Sequence, residues 1–418
     1  MKKVALHWQI AIAIVLAVII GSLTGKEAGL GNVTFYAVYA FLGTLFLNAL
    51  KMIIVPLVTA SIISGIANIR DSEGLGKLGG KTILFYMTSS LLAILVGLVM
   101  VNLMQPGTGS NLAAGLTGDS SVEEVLTKVE GKSTADVVDV FIRMVPPNIV
   151  AAAAEGQMLG LIFFSLLFGY FLSQSQSKQT DVVRDFFSGL MDIMTLITLW
   201  VMKFAPIGVF GLVAKTIADT GFASFKPVLV FFFTVVISLA IHAFVTMPLL
   251  LKYLARIQPV KHYQAMSPAM LTAFSTASSS ATLPLTMECM EEAGVSQRVR
   301  GFVLPLGATV NMDGTALYEC VAAIFIAQAF GLELTFVQQF TIVMVALLTS
   351  IGVAGIPAAS LVAISIILGV IGLPLEGIGL LMITDRVLDM MRTAVNVFSD
   401  SCATVIIARS EGEQTKLV

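Results

Sequence analysis

Residues 272–284 read TAFSTASSSATLP, a stretch too polar to face lipid even though short apolar segments flank it. A second interruption, TSIGVAGIPAAS, occupies residues 349–360. Irregular backbone at membrane depth is tolerated only where protein buries it or where it borders a wet cavity. Each interruption therefore predicts the tip of a re-entrant helical hairpin, with hairpin 1 at about residues 258–294 and hairpin 2 at about residues 336–373. The alternative is that both stretches are Ser- and Gly-rich loops on one surface.

The composition places this chain in a membrane. The chain is 57% hydrophobic and only 12% charged, with a mean hydropathy of +0.93, whereas a soluble domain carries about 25% charged residues. A helix that spans a bilayer needs about 20 apolar residues. Such segments precede hairpin 1 at residues 7–24, 36–68, 82–105, 157–173, 187–214 and 228–251. Two further spans follow the hairpins, at about residues 297–330 and 377–408, so we expect an all-α membrane protein with eight transmembrane helices.

A hairpin followed by a span occurs twice, and loop charge indicates that the two copies are inverted. Cytoplasmic loops are enriched in Lys and Arg, and most of these residues lie inside if the N-terminus is cytoplasmic. Hairpin 1 then enters from the inside and hairpin 2 from the outside, and both termini are cytoplasmic. Transporters bind substrate where such inverted repeats meet. The polar loop at residues 106–140 falls outside and carries no predicted chemistry.

Composition also argues against several functions. The net charge of −2 favours no class of partner, and no cluster of basic and aromatic residues indicates nucleic-acid binding. The three cysteines lack CxxC spacing and predict neither a zinc site nor a disulfide framework. No nucleophile–base pair or cluster of metal ligands predicts an enzyme.

The span at about residues 297–330 contains TVNMDGT at residues 309–315. The Asn, Asp and Gly residues in the middle of this span predict an interruption of the helix that frees carbonyl oxygens. Hard cations such as sodium are held by several carbonyl oxygens and one or two carboxylates. Asn311 and Asp313 are therefore candidate cation ligands.

The final span carries a stripe of polar residues on an otherwise apolar helix. At 100° per residue its members fall within an arc of about 80°: Asp385, Asp389, Arg392, Asn396 and Asp400. Ionisable residues in membrane spans are costly and are usually functional. Arg392 can fork two hydrogen bonds onto a carboxylate, Asp389 can hold an ammonium group, and Asp400 can hold a metal cation. The alternative is an internal salt bridge between Arg392 and Asp389.

Glu319 follows the cation motif and is the candidate proton carrier. A low-dielectric environment favours the neutral form of a carboxyl group, so this residue could load a proton on one side of the membrane and release it on the other. The alternative is a Glu319 that stays protonated and hydrogen-bonded within the protein. His242 in the sixth span is a weaker candidate for a proton relay, because a lone histidine on an apolar face usually packs in the core.

Four motifs occur in a fixed order along the chain: Ser278-Ser279-Ser280, Asn311-Met312-Asp313-Gly314-Thr315, Gly355-Ile356-Pro357, and a helix with Asp389, Arg392, Thr393, Asn396 and Asp400. Together they resemble the dicarboxylate/amino acid:cation symporter family, which includes archaeal aspartate transporters and animal excitatory amino acid transporters. The resemblance covers essentially the whole chain. It implies a homotrimer and an elevator-type mechanism, with a scaffold from residues 1–80 and 141–220 and a transport domain from residues 81–105 and 221–418. It implies no cofactor, and sodium ions as co-transported ligands.

The resemblance also implies roles for individual residues. The substrate side-chain carboxylate would bind Arg392 and Thr315, and the α-ammonium group would bind Asp389. The α-carboxylate would be surrounded by Thr393, Asn396, Ser278, Ser279, Ser280 and the backbone of Gly355. One sodium ion would bind at Gly307, Asn311, Asn396 and Asp400, and a second at the backbone oxygens of Thr309, Met312, Ser350 and Ile351. A third would bind at Tyr86, Ser89, Ser90, Asn311 and Asp313.

Two positions depart from the family pattern. Archaeal members carry an Arg in the tip of the first hairpin, where this chain has Ala277. The animal proteins carry an Arg directly after the ammonium-binding Asp, where this chain has Met390. Arg386, about one turn before Asp389, is a candidate for the same charge balance, or it marks a proton-coupled bacterial branch.

These observations predict a symporter that imports aspartate or glutamate across a prokaryotic plasma (inner) membrane, driven by sodium and, through Glu319, by protons. A proton-coupled C4-dicarboxylate carrier on the same fold is an alternative, although Asp389 would face a second negative charge. A neutral amino acid symporter is another, although Arg392 would then stay buried without its anion. An anion channel is a third, although a pore does not require a full set of cation ligands.

Overall fold

The structure of the chain is a computed structural model that describes residues 6–30, 33–67, 75–109, 142, 144–155, 157–175, 177–220, 225–352, 359–373 and 375–417. Residues 110–140, most of the predicted outer loop, lie outside the described residues. The described part is almost entirely helical. Two short strands, β1 (Gly29–Leu30) and β2 (Val33–Thr34), pair antiparallel between the first two helices.

Helices follow one another along the chain. The first half contains α1 (Leu6–Thr24), α2 (Phe35–Ala67), α3 (Leu75–Met104), α4 (Ile149–Ala154), α5 (Met158–Gln174), α6 (Lys178–Met202) and α7 (Ala205–Thr220). The second half contains α8 (Phe225–Ile241), α9 (Met247–Leu250), α10 (Pro259–Thr276), α11 (Ser279–Glu292), α12 (Gln297–Val310), α13 (Asp313–Ala329), α14 (Phe336–Gly352), α15 (Ala359–Ile371) and α16 (Ile378–Ser410).

Several of these helices are suited to a bilayer. Among the described residues, 5 helical stretches are long and apolar enough to cross a membrane: Phe35–Ala67, Leu78–Met104, Lys178–Met202, Lys226–Ala255 and Gln297–Ala329. The all-α membrane class is therefore confirmed. The number of eight transmembrane helices stays a prediction.

The prediction of one continuous fifth span at residues 187–214 is wrong. The structure has two helices here, because α6 ends at Met202 and α7 begins at Ala205. Pro206 has no N–H group to donate and its ring clashes with the preceding turn, so an α-helix cannot run through it undisturbed. The chain instead makes tight turns in which the Lys203 N–H donates to the Trp200 carbonyl and the Phe204 N–H to the Val201 carbonyl.

The sixth span is a helix with two π-helical turns. After α8 the chain continues through the π-turn His242–Thr246, α9 and the π-turn Leu251–Ala255. In the first π-turn the Met247 N–H donates to the His242 carbonyl. The next N–H would belong to Pro248, which has none, so the Ala243 carbonyl lacks its helical donor. The hydroxyl of Tyr263 on α10 donates to that carbonyl and ties hairpin 1 to this span.

Both predicted hairpins consist of paired helices. In hairpin 1, α10 and α11 pack together and are joined by a turn in which Ala277 adopts a left-handed conformation (φ 49°). Ser278 caps α11 by accepting a hydrogen bond from the Ala281 N–H. In hairpin 2, α14 packs against α15, and the tip at residues 353–358 lies outside the described residues.

The helices pack in two groups that touch each other along α2, α7 and hairpin 2. In the first group, α2 contacts α5, α6 and α7, and α1 packs on α7. In the second group, α3, α8, α16 and hairpin 2 pack against α13, and hairpin 1 and α12 pack against α16. Every side chain of α13 except Gln328 is buried. The polar residues of α13 and α16 therefore face each other in the middle of the second group.

Residues 411–417 lie across the base of hairpin 1. The Gln258 N–H donates to the Leu417 carbonyl (3.0 Å), and the Lys416 N–H donates to the Ala293 carbonyl (2.9 Å). These two bonds hold both feet of the hairpin, at the start of α10 and the end of α11. Lys81 at the start of α3 forms an ion pair with Glu411 (2.5 Å). The base of hairpin 1 is thus fixed to its own group of helices.

Gly211 allows α7 and α2 to approach closely, and this contact makes a testable prediction. A Cβ atom at this position would lie 2.8 Å from both the Gly43 nitrogen and the Tyr39 carbonyl oxygen, so the helices would have to separate. We expect Gly211→Ala to lower the stability by about 1–3 kcal/mol, the usual cost of overpacking. The measurement is the midpoint of thermal unfolding of the purified protein.

Gly369 on α15 provides the matched control, because a Cβ atom there meets nothing within 4 Å. Gly369→Ala should leave the midpoint unchanged or raise it, since alanine favours the helix. Equal midpoints for the two variants would contradict the close packing of α7 on α2.

Candidate functional site

The site begins at the interruption between α12 and α13. Asn311 (φ −107°, ψ 89°) and Met312 (φ −117°, ψ 60°) leave the helical conformation, as the sequence predicts. The final carbonyls of one helix and the first N–H groups of the next have no partners within their own helix. The N–H of Gly314, in the first turn of α13, instead donates to the Asn396 side-chain oxygen (2.8 Å).

The carboxylate of Asp313 is a meeting point of four helices. On α3, the hydroxyls of Ser89 and Ser90 donate to its Oδ1 at 3.2 and 2.6 Å. On the opposite side, Ser399 of α16 donates to Oδ2 at 2.6 Å. His242 Nε2 lies 3.2 Å from the same oxygen. These side chains are all fully or almost fully buried, so Asp313 is hydrogen-bonded within the protein rather than by solvent.

A second carboxylate, that of Asp400, lies beside the first. The Asn311 amide donates to Asp400 Oδ1 (2.9 Å) and to the Ser399 hydroxyl oxygen (3.0 Å), while its oxygen accepts from Ser89 (3.3 Å). Gly307 allows this approach, because a Cβ atom there would collide with the Asp400 carboxylate and lie 2.7 Å from the Tyr86 hydroxyl. The predicted cation residues Tyr86, Ser89, Ser90, Gly307, Asn311, Asp313 and Asp400 are thus brought together.

Arg392 is fully buried and only partly satisfied. Its Nη2 donates to Asp385 (3.1 Å) and to Asp389 (3.0 Å), and its guanidinium lies over the Tyr318 ring at 3.8 Å. Its Nε and Nη1 are buried without a hydrogen-bond partner. The internal salt bridge that the sequence left open is therefore present, and it leaves most of the guanidinium fork unused.

The other predicted substrate residues on α13 and α16 form hydrogen bonds with one another. The Asn396 amide donates to the Thr315 hydroxyl (3.1 Å), and the Thr393 hydroxyl donates to the Asp389 carbonyl one turn back (2.8 Å). Arg386 Nη1 lies 3.5 Å from the second oxygen of Asp389. The arginine that the sequence singled out for charge balance therefore contacts the predicted ammonium site.

The structure describes fewer contacts for the predicted site residues near the hairpin tips. Ser278 caps α11, Ser279 is buried and Ser280 is exposed. Ser350 near the end of α14 is buried and donates to the Leu347 carbonyl, and α14 contacts α12, which carries Thr309. The whole motif Gly355-Ile356-Pro357 lies outside the described residues. The substrate contacts predicted for the second tip stay predictions.

Glu319 connects α13 to hairpin 2. Its side chain is fully buried, and the hydroxyl of Thr349 on α14 donates to Oε2 at 2.7 Å. Its other oxygen, Oε1, is buried without a hydrogen-bond partner. An ionised carboxylate with an unpaired oxygen is expensive in such surroundings. The geometry therefore suits a group that carries a proton for part of the time.

Sequence reasoning missed one residue of this cluster and one contact of another. Ser399 was not singled out, because a serine in a membrane helix usually bonds to its own backbone. His242 is fully buried, as predicted, and its ring also contacts Asp313. Sequence periodicity treats one helix at a time and cannot show partners on other helices.

The ligand types suit a hard monovalent cation. In the part of the chain that the structure describes, no group of three or more His, Cys, Asp or Glu side chains is arranged to hold a metal ion. Asp313 and Asp400 instead stand among hydroxyl, amide and carbonyl oxygens, the ligands that hard cations prefer. This region contains four aspartates, at 313, 385, 389 and 400, but only two arginines, Arg386 and Arg392, and both arginines lie at Asp385 and Asp389.

Comparison with known proteins gives one family. The sodium:dicarboxylate symporter family matches residues 6–410. The proton/sodium-glutamate symport protein of Geobacillus stearothermophilus is 37% identical over 414 residues, which cover 99% of this chain and 96% of the relative. The proton/glutamate-aspartate symporter of Escherichia coli (strain K12) is 35% identical over 409 residues (98% and 93%). The C4-dicarboxylate transport protein of Bacillus subtilis (strain 168) is 34% identical over 409 residues (97% and 93%).

Proposed function

Because the chain belongs to the sodium:dicarboxylate symporter family, we propose that it imports aspartate and glutamate by secondary active symport, driven by a sodium gradient with protons as a second coupling ion. The family and the relatives are transporters, so the protein is not an enzyme. The protein needs no cofactor. Sodium takes part as a co-transported ligand. The protein is an integral membrane protein, and the bacterial relatives support a plasma (inner) membrane location.

The observation that carries the proposal is the unused fork of Arg392 next to Asp389. Nε and Nη1 of Arg392 are buried donors without acceptors, and a carboxylate can take both in a bidentate pair. Asp389 stands beside the same guanidinium (3.0 Å) and offers negative charge to an ammonium group. A ligand with a carboxylate on one end and an ammonium group on the other satisfies both residues, and aspartate and glutamate have this chemistry.

The other proposed substrate contacts follow from position. Thr315 assists Arg392 with the side-chain carboxylate. Five residues and one backbone segment would enclose the α-carboxylate: Thr393, Asn396, Ser278, Ser279, Ser280 and the backbone of Gly355. The hydrogen bond from Asn396 to Thr315 supports this arrangement, because it links the two ends of the substrate region.

Sodium is proposed to bind at three positions. The first comprises Gly307, Asn311, Asn396 and Asp400, and the second the backbone oxygens of Thr309, Met312, Ser350 and Ile351. The third comprises Tyr86, Ser89, Ser90, Asn311 and Asp313. The excess of buried acids over arginines supports cation binding, because a substrate with net negative charge cannot enter an acidic helix face without compensating cations.

The division into domains, the oligomeric state and the orientation of the termini are also proposals. Residues 1–80 and 141–220 form a scaffold, and residues 81–105 and 221–418 form a transport domain that moves across the membrane like an elevator. The packing of the helices in two groups supports this division. We propose further that the protein is a homotrimer with both termini in the cytoplasm.

A C4-dicarboxylate is the second candidate substrate, because a relative of that name covers almost the whole chain. Asp389 argues against it. A dicarboxylate would place its second negative charge where that acid offers negative charge to an ammonium group. A neutral amino acid would have no side-chain carboxylate for Nε and Nη1 of Arg392, and buried donors without acceptors are costly.

Uptake into proteoliposomes tests the function. Purified protein is reconstituted, and sodium, proton and potassium gradients are imposed one at a time while labelled aspartate, glutamate, succinate and serine are offered. We expect aspartate and glutamate to accumulate with an inward sodium gradient. Accumulation of succinate but not aspartate would replace the amino acid proposal with the dicarboxylate one. Accumulation driven by a proton gradient in buffers that contain no sodium on either side would remove sodium from the mechanism.

Substitution of Arg392 tests the substrate contact. We expect Arg392→Cys to abolish aspartate and glutamate binding and to admit serine, alanine or cysteine, because the fork for the side-chain carboxylate is gone. Arg392→Lys should also bind poorly, since a point charge cannot make the bidentate pair. Calorimetry on the purified protein measures both. An unchanged aspartate affinity in Arg392→Cys would show that the carboxylate binds elsewhere.

Substitution of Glu319 tests proton coupling. With no sodium or potassium gradient, we expect uptake by the wild type to respond to an imposed pH gradient. Glu319→Gln should remove this response and leave substrate exchange intact, because the amide keeps the hydrogen bond from Thr349 but cannot carry a proton. If the variant responds to pH as the wild type does, Glu319 has a structural role and protons use another path.

A further inference from the structure

Ser399 occupies a position between the two buried carboxylates that no motif of the sequence assigns to it. Its hydroxyl donates to Asp313 Oδ2 at 2.6 Å and accepts from the Asn311 amide at 3.0 Å. The residue is fully buried and precedes Asp400 in the chain. A serine in a membrane helix usually returns its hydroxyl to its own backbone. Ser165, Ser238 and Ser401 of this chain do so, whereas Ser399 bonds to Asp313 and Asn311, outside its own helix.

We propose that Ser399 is a further residue of the cation site: its hydroxyl is an oxygen ligand for the sodium ion at Asp313 and holds Asn311, which that site shares with Asp400. This inference rests on the proposed sodium coupling and extends it to a residue outside the predicted ligand sets. The ligand is a hard monovalent cation.

The direction of approach supports this assignment. Ser89 and Ser90 reach Asp313 from α3 and meet Oδ1, while Ser399 reaches it from α16 and meets Oδ2. Hard cations are enclosed by oxygens from several sides. Ser399 supplies the hydroxyl on the side that α3 does not reach, so the three serines together border both oxygens of the carboxylate.

The chemistry of a hydroxyl suits both states of the site. Without a cation, the hydroxyl proton compensates part of the Asp313 charge. A hydroxyl has one proton and two lone pairs and can rotate to suit its partners. When a cation binds to the carboxylate, the proton can turn away and the oxygen can face the ion. An alanine at this position would offer neither a proton to the empty site nor an oxygen to the occupied one.

The position also connects two cation sites. Asn311 donates to both Ser399 and Asp400, so Ser399 helps to fix the orientation of an amide that bonds to Asp400 directly and to Asp313 through Ser399. Loss of the hydroxyl should therefore affect sodium binding more strongly than substrate binding. Outer contacts that orient ligands commonly change metal affinity by about 10–100-fold.

A sodium titration of purified protein tests the inference. The thermal unfolding midpoint is measured against sodium concentration, with choline replacing sodium, for the wild type, Ser399→Ala and Ser401→Ala. Ser401 is the matched control, because it is equally buried on the same helix but bonds to His262 (2.9 Å) and to the Phe398 carbonyl (2.6 Å). We expect Ser399→Ala to need about 10-fold more sodium for half-maximal stabilisation, and Ser401→Ala to match the wild type.

A second measurement separates a ligand from a merely structural residue. Aspartate affinity is determined by calorimetry at saturating sodium, where Ser399→Ala should return to within about threefold of the wild type, since the lost affinity is for the cation. If Ser399→Ala and the wild type share the same sodium titration, the inference is wrong and sodium coupling survives. If aspartate affinity stays low at saturating sodium, Ser399 has a structural role. If the wild type itself shows no response to sodium, the sodium coupling fails and this inference fails with it.

Discussion

The buried carboxylate of Asp313 needs hydrogen-bond donors from within the protein, and this need fixes the positions of three other helices. Ser89 and Ser90 bring α3 to it, His242 brings the π-turn of the sixth span, and Ser399 brings α16. A hydrogen bond to a charged group contributes about 1.5–3 kcal/mol, and a buried charge without partners costs more than that. Apolar packing between these helices could slide by a turn at little cost, whereas a shared carboxylate fixes the register.

The same constraint explains why the internal ion pairs of Arg392 are compatible with its proposed role as a substrate ligand. A buried guanidinium without an anion is strongly destabilising, so the empty site must supply a counter-charge. Asp385 and Asp389 do so through one nitrogen, Nη2, and the Tyr318 ring covers the face of the group. Nε and Nη1 are left over. A carboxylate can therefore bind without first breaking the ion pairs, and binding removes the cost of the two unpaired donors.

The sequence predicted the parts of this site that lie within one helix and missed those that depend on another. The interruption at Asn311, the stripe from Asp385 to Asp400 and the hairpin turn near Ser278 each depend on local residue types, and the structure contains all three. Ser399 lies about 20° beyond the edge of the stripe at 100° per residue, and its contact with Asp313 depends on how α16 packs against α13. The break at Lys203 was also missed as a helix boundary, although Pro206 is a local signal, because the hydropathy on both sides is continuous.

The two hairpins are attached to their neighbouring helices by different hydrogen bonds. Hairpin 1 is tied at its base by the bonds of Gln258 and Ala293 to residues 416–417, and at its side by Tyr263. Among the described residues, hairpin 2 is joined to α13 through the bond between Thr349 and Glu319 and to α3 through Asn102 and Gln339.

A bond from a hydroxyl to an ionised carboxylate contributes about 1.5–3 kcal/mol, against about 0.5–1.5 kcal/mol for a bond between neutral groups. Under the proton-carrier hypothesis, protonation of Glu319 therefore weakens the attachment of α14 to α13 while the base of hairpin 1 is unaffected. A proton at this position would therefore act on hairpin 2, to which Thr349 belongs.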